Sequence, residues 1–419
     1  MTYTTEKVFE KYEVRKTKDQ RAKFRQFVHE MAEYEGYDCV SESAGSNARN
    51  IIVGSPSTAK VVFTAHYDTC AGTPFPNFIT PKRIHIYILY QLLICLCLYT
   101  VPILVMTLVP SLILKCGGNG TVATIFFLLG YVLLFLACFL LMFGPANKHN
   151  ANDNTSGVCV LLDLMQEMPG AYREDVAFIF FDLEERGCIG SQYYRKKHAR
   201  DMKKKFVLNF DCVGDGKTML FVVKNKARPY IDMLKKAFPS TDTITTEIAS
   251  KGVFYPSDQR SFEHGVGVGA FKTHEKGYLY LDRIHTKYDT KFDEENIEYL
   301  VNGSVKLIEN WDYDEEANKK SLFPPMRKKD DVRFKSAEHK SPKPDTKDKK
   351  DPESVDKEKT NPKADEKEKS DINSDDTKKA DTNDDNTDKS DNTDKPDMKN
   401  DAENENADKD DIEPVETKD

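Results

Sequence analysis

The sequence predicts an α/β protein with a mixed, mainly parallel central sheet covered by helices on both faces. A two-helix transmembrane hairpin interrupts it and a disordered tail follows it. Three observations lead there. Short runs of β-branched and aromatic residues alternate with stretches of helical apolar spacing, the pattern of a sheet buried on both sides. Two long stretches contain no Asp, Glu, Lys or Arg. The end of the chain is almost wholly Lys, Asp, Glu, Asn, Thr, Ser and Pro.

From the N-terminus, "KDQRAKFRQFVHEMAEYEG" has helical spacing and a glycine stop, and "NIIVGS" and "VVFTAHYD" read as strands. "SGVCVLLDLMQEM" is helical, "DVAFIFFDLEE" a buried strand, "GSQYYRKKHARDMKK" helical, "KFVLNFDCVG" a strand, and "DEENIEYLVNGSVKLIENW" a closing amphipathic helix. Together, residues 1–83 and 145–320 are expected to form one domain.

The intervening residues 84–143 hold "IHIYILYQLLICLCLYTVPILVMTLVPSLIL" and "TVATIFFLLGYVLLFLACFLLMF". Each reaches the roughly 20 residues that a helix needs to cross a bilayer. A core helix of a soluble protein normally keeps a polar stripe, and these have none. The short "KCGGNG" link makes them a hairpin with both flanks on one side. Lys82, Arg83 and Lys148 on the flanks outnumber Lys115 in the link, so the flanks are expected in the cytoplasm. Pro102 and Pro110 are candidate kinks.

Residues 328–419 include near-repeats such as "DNTDKSDNTDKPD". They lack the apolar surface that would offset the entropy of ordering, and read as a disordered acidic and Lys-rich tail. With a formal net charge of −8 for the chain, concentrated in that tail, no nucleic-acid partner is expected. The start, "MTYTTEKVFEKYEVRKTKDQ", has no apolar segment behind a basic one, so no cleaved secretory signal is read there. Nine cysteines without a regular framework fit reduced thiols in a cytosolic setting.

Polar residues gather where the predicted strands end. "VVFTAHYD" delivers His66 and Asp68, "VAFIFFDLEE" delivers Glu184 and Glu185, and "FVLNFD" delivers Asp211; Asp153 in "NANDNTSG" and His285 in "RIHTKYDT" sit in loops. Open α/β sheets bind ligands beyond the carboxyl ends of their strands. Singly, each residue has a plainer explanation as a strand-end histidine, a turn aspartate or a solvated glutamate. Jointly, imidazoles and carboxylates in this order suit a divalent metal such as zinc, and the number of donors suits a pair of ions sharing a carboxylate.

These stretches resemble the motifs of the two-zinc aminopeptidases of the leucyl aminopeptidase and aminopeptidase Y type, related to glutamate carboxypeptidase and glutaminyl cyclase. The resembling segments are "AHYDT", "NDNTSG", "DLEERGCIGSQYY", "LNFDCVG" and "IHTKYDT", with "YPSDQRSFEHGV" before the last; Gln259 stands where many members have another polar residue. The resemblance spans roughly Lys16 to Glu309 outside the hairpin and implies a zinc exopeptidase-like fold. It implies His66, Asp153, Glu185, Asp211 and His285 as ligands to Zn2+, two ions per chain, with Asp153 bridging. Glu184 falls at the general base and Asp68 at the carboxylate that orients His66.

The implied activity is a membrane-anchored aminopeptidase acting on peptide substrates through a metal-activated water, in contact with membrane lipid, with its catalytic domain and tail in the cytoplasm. A glutaminyl cyclase-like acyltransferase and an inactive membrane scaffold of the same fold are the alternatives. The departure from the family is the hairpin, inserted between Asp68 and Asp153. His149, His264 and His274 are rival ligands to His285.

Overall fold

A computed structural model describes residues 2–311 apart from Ser46; the tail expected over residues 328–419 lies outside the described residues. Helix α1 (Tyr3–Tyr12) was not foreseen; its N-cap Thr2 accepts from the Thr5 N–H at 3.2 Å. Helix α2 (Lys18–Tyr34) opens on a capping box, in which Thr17 Oγ1 accepts from Gln20 N–H at 3.2 Å and Gln20 Oε1 accepts from Thr17 N–H at 2.9 Å. Strands β1 (Cys39–Ser43), β2 (Arg49–Gly54) and β3 (Val61–His66) follow.

Helices α3 (Ile84–Lys115) and α4 (Gly120–Phe143) form the apolar pair, both long and apolar enough to cross a membrane, with mean hydropathies of 2.6 and 2.8. Their surfaces carry exposed large apolar side chains such as Leu96 and Phe135. They cross closely at Gly130, where a side chain would lie 2.5 Å from the Met106 backbone nitrogen.

The chain then continues through α5 (Gly157–Glu167), β4 (Val176–Phe181), α6 (Ile189–Lys197), α7 (Ala199–Met202), β5 (Phe206–Phe210), β6 (Thr218–Val223) and α8 (Ile231–Ala237). Strands β7 (Thr245–Ala249), β8 (His264–Thr273) and β9 (Leu279–Tyr280) precede α9 (Glu294–Glu309).

The nine-stranded sheet runs β1-β2-β4-β3-β5-β8-β6-β7, with β9 pairing on β8. Parallel pairing holds its centre, β4 with β3, β3 with β5 and β5 with β8. Antiparallel partners flank it: β1 with β2, β2 with β4, and β6 with β8. All six residues of β3 and of β4 are buried, as expected of central strands covered on both faces. The period of two sorts their side chains. Val61, Phe63, Phe178 and Phe180 pack in a core with Phe24 of α2 and Val158 and Leu161 of α5. Val62, Ile179 and Phe181 pack in another with Tyr194 of α6 and Met202 of α7.

Register decides where polar residues fall. Pairing of His66 with Phe181, and of Thr64 with Asn209, brings His66 and Asp211 level at the carboxyl edge. The chain leaving β4 then carries Glu184 and Glu185 to the same edge.

Candidate metal centre

His66 ends β3 with its side chain buried. Its Nδ1 lies 3.1 Å from the Asp68 backbone oxygen and 3.6 Å from the Asp68 carboxylate. The Asp68 group nearest to the imidazole is thus its backbone carbonyl and not the carboxylate expected to orient it. The Asp68 carboxylate is engaged elsewhere, accepting from Glu184 N–H at 2.9 Å and Glu185 N–H at 3.3 Å.

The stretch holding the glutamates is not the extended backbone that their adjacency suggests. Leu183 adopts φ +56°, and Glu184–Arg186 form a tight 3-10 turn. This turn, rather than strand alternation, separates the two side chains. Four non-glycine residues with positive φ are found among the described residues: Leu183, Cys188, Cys212 and His285. Three of them are, or adjoin, a predicted site residue. Such conformations persist where the surroundings over-determine them, as at active sites.

Asp153 sits in a loop tied down from both sides. Asp289 accepts from the Asn152 N–H at 2.9 Å and the Asp153 N–H at 3.0 Å. Asn154 Oδ1 accepts from Cys212 N–H at 3.2 Å, and Asn152 Oδ1 accepts from Gly214 N–H at 2.7 Å, so this loop is stitched to the turn after Asp211. Tyr255 completes the clamp by donating to the Asp211 backbone oxygen at 2.7 Å. From behind, fully buried Arg15 donates to the Tyr67 carbonyl at 2.5 Å and to Thr155 Oγ1 at 3.1 Å; burial draws its guanidinium down to about 10.

Asp153 stands between two trios. Its Oδ1 lies 3.3 Å from His66 Nε2, which is 3.6 Å from Asp211 Oδ1. Its Oδ2 lies 3.1 Å from His285 Nε2, which is 3.1 Å from Glu185 Oε2. Burial alone would raise the Asp153 carboxyl, but His285 and His66 hold it well below the usual range. Burial disfavours the charged form of His66, yet Asp153, Asp211 and Asp68 outweigh it and hold the imidazole well above its ordinary value. Burial pushes the Glu184 carboxyl well up, with His66 opposing and Asp258, Asp211 and Glu185 adding to the rise.

The donors fit zinc on the evidence of two orphaned atoms. Asp211 Oδ1 and Glu185 Oε1 are buried without a hydrogen-bond partner, a costly state unless something else satisfies them. With two imidazoles and three carboxylates converging, a divalent cation is the natural occupant.

All seven predicted site residues gather here. The rival histidines do not: His149 pairs with Glu13 at 3.7 Å, His274 stacks on Tyr278, and His264 begins β8. Gln259 faces the sheet, donating to the Tyr255 carbonyl at 2.9 Å and crowding Gly267. Sequence reasoning missed Asp289, Arg15 and Asp258. Asp289 is buried and raised to about 7 by burial and the Asp153 charge. Both carboxylate oxygens of Asp258 are buried without a hydrogen-bond partner, and burial raises it to about 7. A buried aspartate within a motif segment was the available signal for Asp289; Arg15 offered none.

A small cavity of about 50 Å³ beside His285 and Glu185 is also lined by Leu141 and Met142 of α4. Lys16 Nζ donates to the Met142 carbonyl at 3.1 Å, and Arg186 lies 4.8 Å over the Phe143 ring. The end of the second apolar helix thus touches the site. An open cleft of about 920 Å³ begins at Glu184 and passes Cys188, Arg195, Lys224 and Arg260.

No curated protein matches the sequence. The fold is similar to the LapA aminopeptidase of Legionella pneumophila, at 14% identity and TM-score 0.43 over 73% of this chain and 69% of that one. It is similar to a Zn-dependent exopeptidase of Parabacteroides distasonis at 15% identity and TM-score 0.46, over 74% and 96%. Glutaminyl cyclase of Porphyromonas gingivalis gives 14% identity and TM-score 0.45, also over 74% and 96%. Residues 141–304, which include Asp153, Glu184, Glu185, Asp211 and His285, match the description of peptidase family M28. The likeness read from the motifs is therefore to this family, whose match covers residues 141–304 of the chain.

Proposed function

We propose that the protein is a membrane-anchored, zinc-dependent aminopeptidase that removes N-terminal residues from peptides. The observation that carries this reading is Asp153, whose two oxygens face different histidines at 3.3 and 3.1 Å, each histidine with a further carboxylate beside it. On this reading His66, Asp153 and Asp211 hold one ion, and Asp153, Glu185 and His285 hold a second. Zinc held there would supply a Lewis acid and lower the pKa of a coordinated water towards about 7.

The protein's own groups do the rest. Glu184 takes a proton from the attacking water and returns it to the leaving amine. Its environment suits that task, since burial and neighbouring carboxylates raise its proton affinity. Asp68 holds the turn that aims it, and the cleft that starts at Glu184 is the path for the peptide. The α3–α4 pair anchors the domain with both flanks in the cytoplasm and its site near the bilayer surface, supported by the contacts of Met142 and Phe143.

The test is hydrolysis of an aminoacyl substrate panel by detergent-purified protein, with chelator and with zinc restored. Activity is expected to vanish with chelator, return with zinc, and fall by a factor of about 10² to 10⁴ in Glu184→Gln with metal retained. Unchanged turnover in that variant refutes the role of Glu184. Cyclisation of a peptide with N-terminal glutamine, without hydrolysis of the panel, would favour the acyltransferase instead.

A further inference from the structure

Cys70 lies two residues beyond Asp68, 3% exposed, in the cavity that Glu185 and His285 also line. Its Sγ, a carboxylate oxygen of Glu185 and a ring nitrogen of His285 all fall within 4.8 Å of one another. Little else engages the thiol: its hydrogen-bond contact is a long 3.7 Å to Asn150 Oδ1. A buried cysteine usually behaves as a small hydrophobe in an apolar setting. This one instead faces ionisable groups.

The same cavity holds a second sign of a missing partner. The Glu185 side chain is 10% exposed, and its Oε2 lies 3.1 Å from His285, while its Oε1 is buried with no hydrogen bond. Asp153 Oδ2, also 3.1 Å from His285, adds another donor. Thiol, carboxylate and imidazole thus lie together, with Asp153 against the same imidazole.

We propose that Cys70 is a fourth protein ligand on the Glu185–His285 side. The inference rests on the reading of this cluster as a metal centre and goes beyond the five ligands that reading assigns. It makes the two positions unequal. Asp153, Glu185, His285 and Cys70 form a closed set of four donors, as structural zinc sites do; His66, Asp153 and Asp211 supply three and leave room for water, as catalytic sites do. A soft thiolate also favours zinc over manganese or magnesium at the closed position. The thiol proton passes to solvent as the metal binds.

Zinc X-ray absorption on the full-length protein in detergent tests this. A sulfur scatterer at about 2.3 Å is expected for roughly one zinc in two. Cobalt-loaded protein should show a thiolate-to-metal charge-transfer band. Cys70→Ser should abolish both signals and weaken one zinc position by at least the roughly 10–100-fold that loss of a supporting partner costs; Cys159→Ser, on α5, should keep both signals. Two zinc ions with only nitrogen and oxygen neighbours, or a sulfur signal that survives Cys70→Ser, overturn the role of Cys70 and leave the metal centre standing. Protein that retains no zinc overturns both. Because the spectra are read on the unaltered chain, a misfolded variant does not spare the inference.

Discussion

Asp153 Oδ2 stands 3.1 Å from His285 Nε2, while the other oxygen of the same carboxylate stands 3.3 Å from His66. One side chain thus serves both halves of the cluster, and the halves differ in what they lose without it. Asp153→Ala is expected to reduce bound zinc from about two per chain to near zero, whereas Asp211→Ala and His285→Ala each leave about one. Elemental analysis of purified variants decides this. An Asp153→Ala protein that keeps one tightly held zinc would show that the carboxylate does not bridge.

On the proposed reading, Asp68 reaches the reaction through Glu184. Its carboxylate takes the backbone N–H groups of both Glu184 and Glu185, so Asp68→Ala frees the turn that aims the base. Expected is a fall in kcat of about 10–100-fold, the usual cost of losing a supporting partner, with KM little changed and Asp68→Asn less affected. A change confined to KM would contradict that role.

Asp289 is the buried anchor of the Asp153 loop, accepting two backbone N–H groups. Asp289→Ala leaves both buried donors without a partner, at about 1–3 kcal/mol each. A lower melting temperature and weaker zinc retention against a chelator are expected together, with Asp289→Asn intermediate. Unaltered zinc affinity would separate this residue from the site.

Asp163 on α5 is 7% exposed, and burial raises its carboxyl from 3.8 to about 6. The folded protein therefore holds this proton in a range where the unfolded chain has lost it. Burial of the charged form costs stability in full above about pH 6, and the cost disappears as pH falls towards 3.8. The rise from 3.8 to about 6 bounds the effect at about 3 kcal/mol. Asp163→Asn should raise the melting temperature at pH 7.5 and give little gain at pH 4; equal gains at both would rule out the ionisation as the cause.

The apolar pair α3–α4 predicts a fractionation result. Full-length protein should stay with membranes through an alkaline wash, and a version with residues 84–143 replaced by a short Gly-Ser linker should move to the supernatant. Release of the full chain by the wash would argue for a peripheral contact instead.

Local pattern carried much of this protein into view. The apolar blocks of α3 and α4 were legible as long helices apolar enough to cross a membrane because length and the absence of charge are linear properties. The helices α2, α5 and α9 were legible by spacing, and the strands β3, β4 and β5 by their unbroken apolar character. Strands β1 and β7 are partly exposed, and β6, as long as β3 and almost wholly buried, was not read from its run "TMLFVV".

His66, Asp68, Glu184, Glu185 and Asp211 could be named as candidate donors from sequence because ligand chemistry restricts residue type and strand ends restrict place, whereas Asp153 and His285, in loops, took their roles from the family resemblance. Sequence alone thus determined which donors this chain can offer. Tertiary structure alone decided how they are divided: that the Asp68 carboxylate holds the glutamate turn while its carbonyl meets His66, and that Asp289, Arg15 and Cys70 lie against the cluster. Parallel register and loop stitching set those distances, and such contacts join residues as far apart in sequence as Cys70 and His285, beyond the reach of any local periodicity.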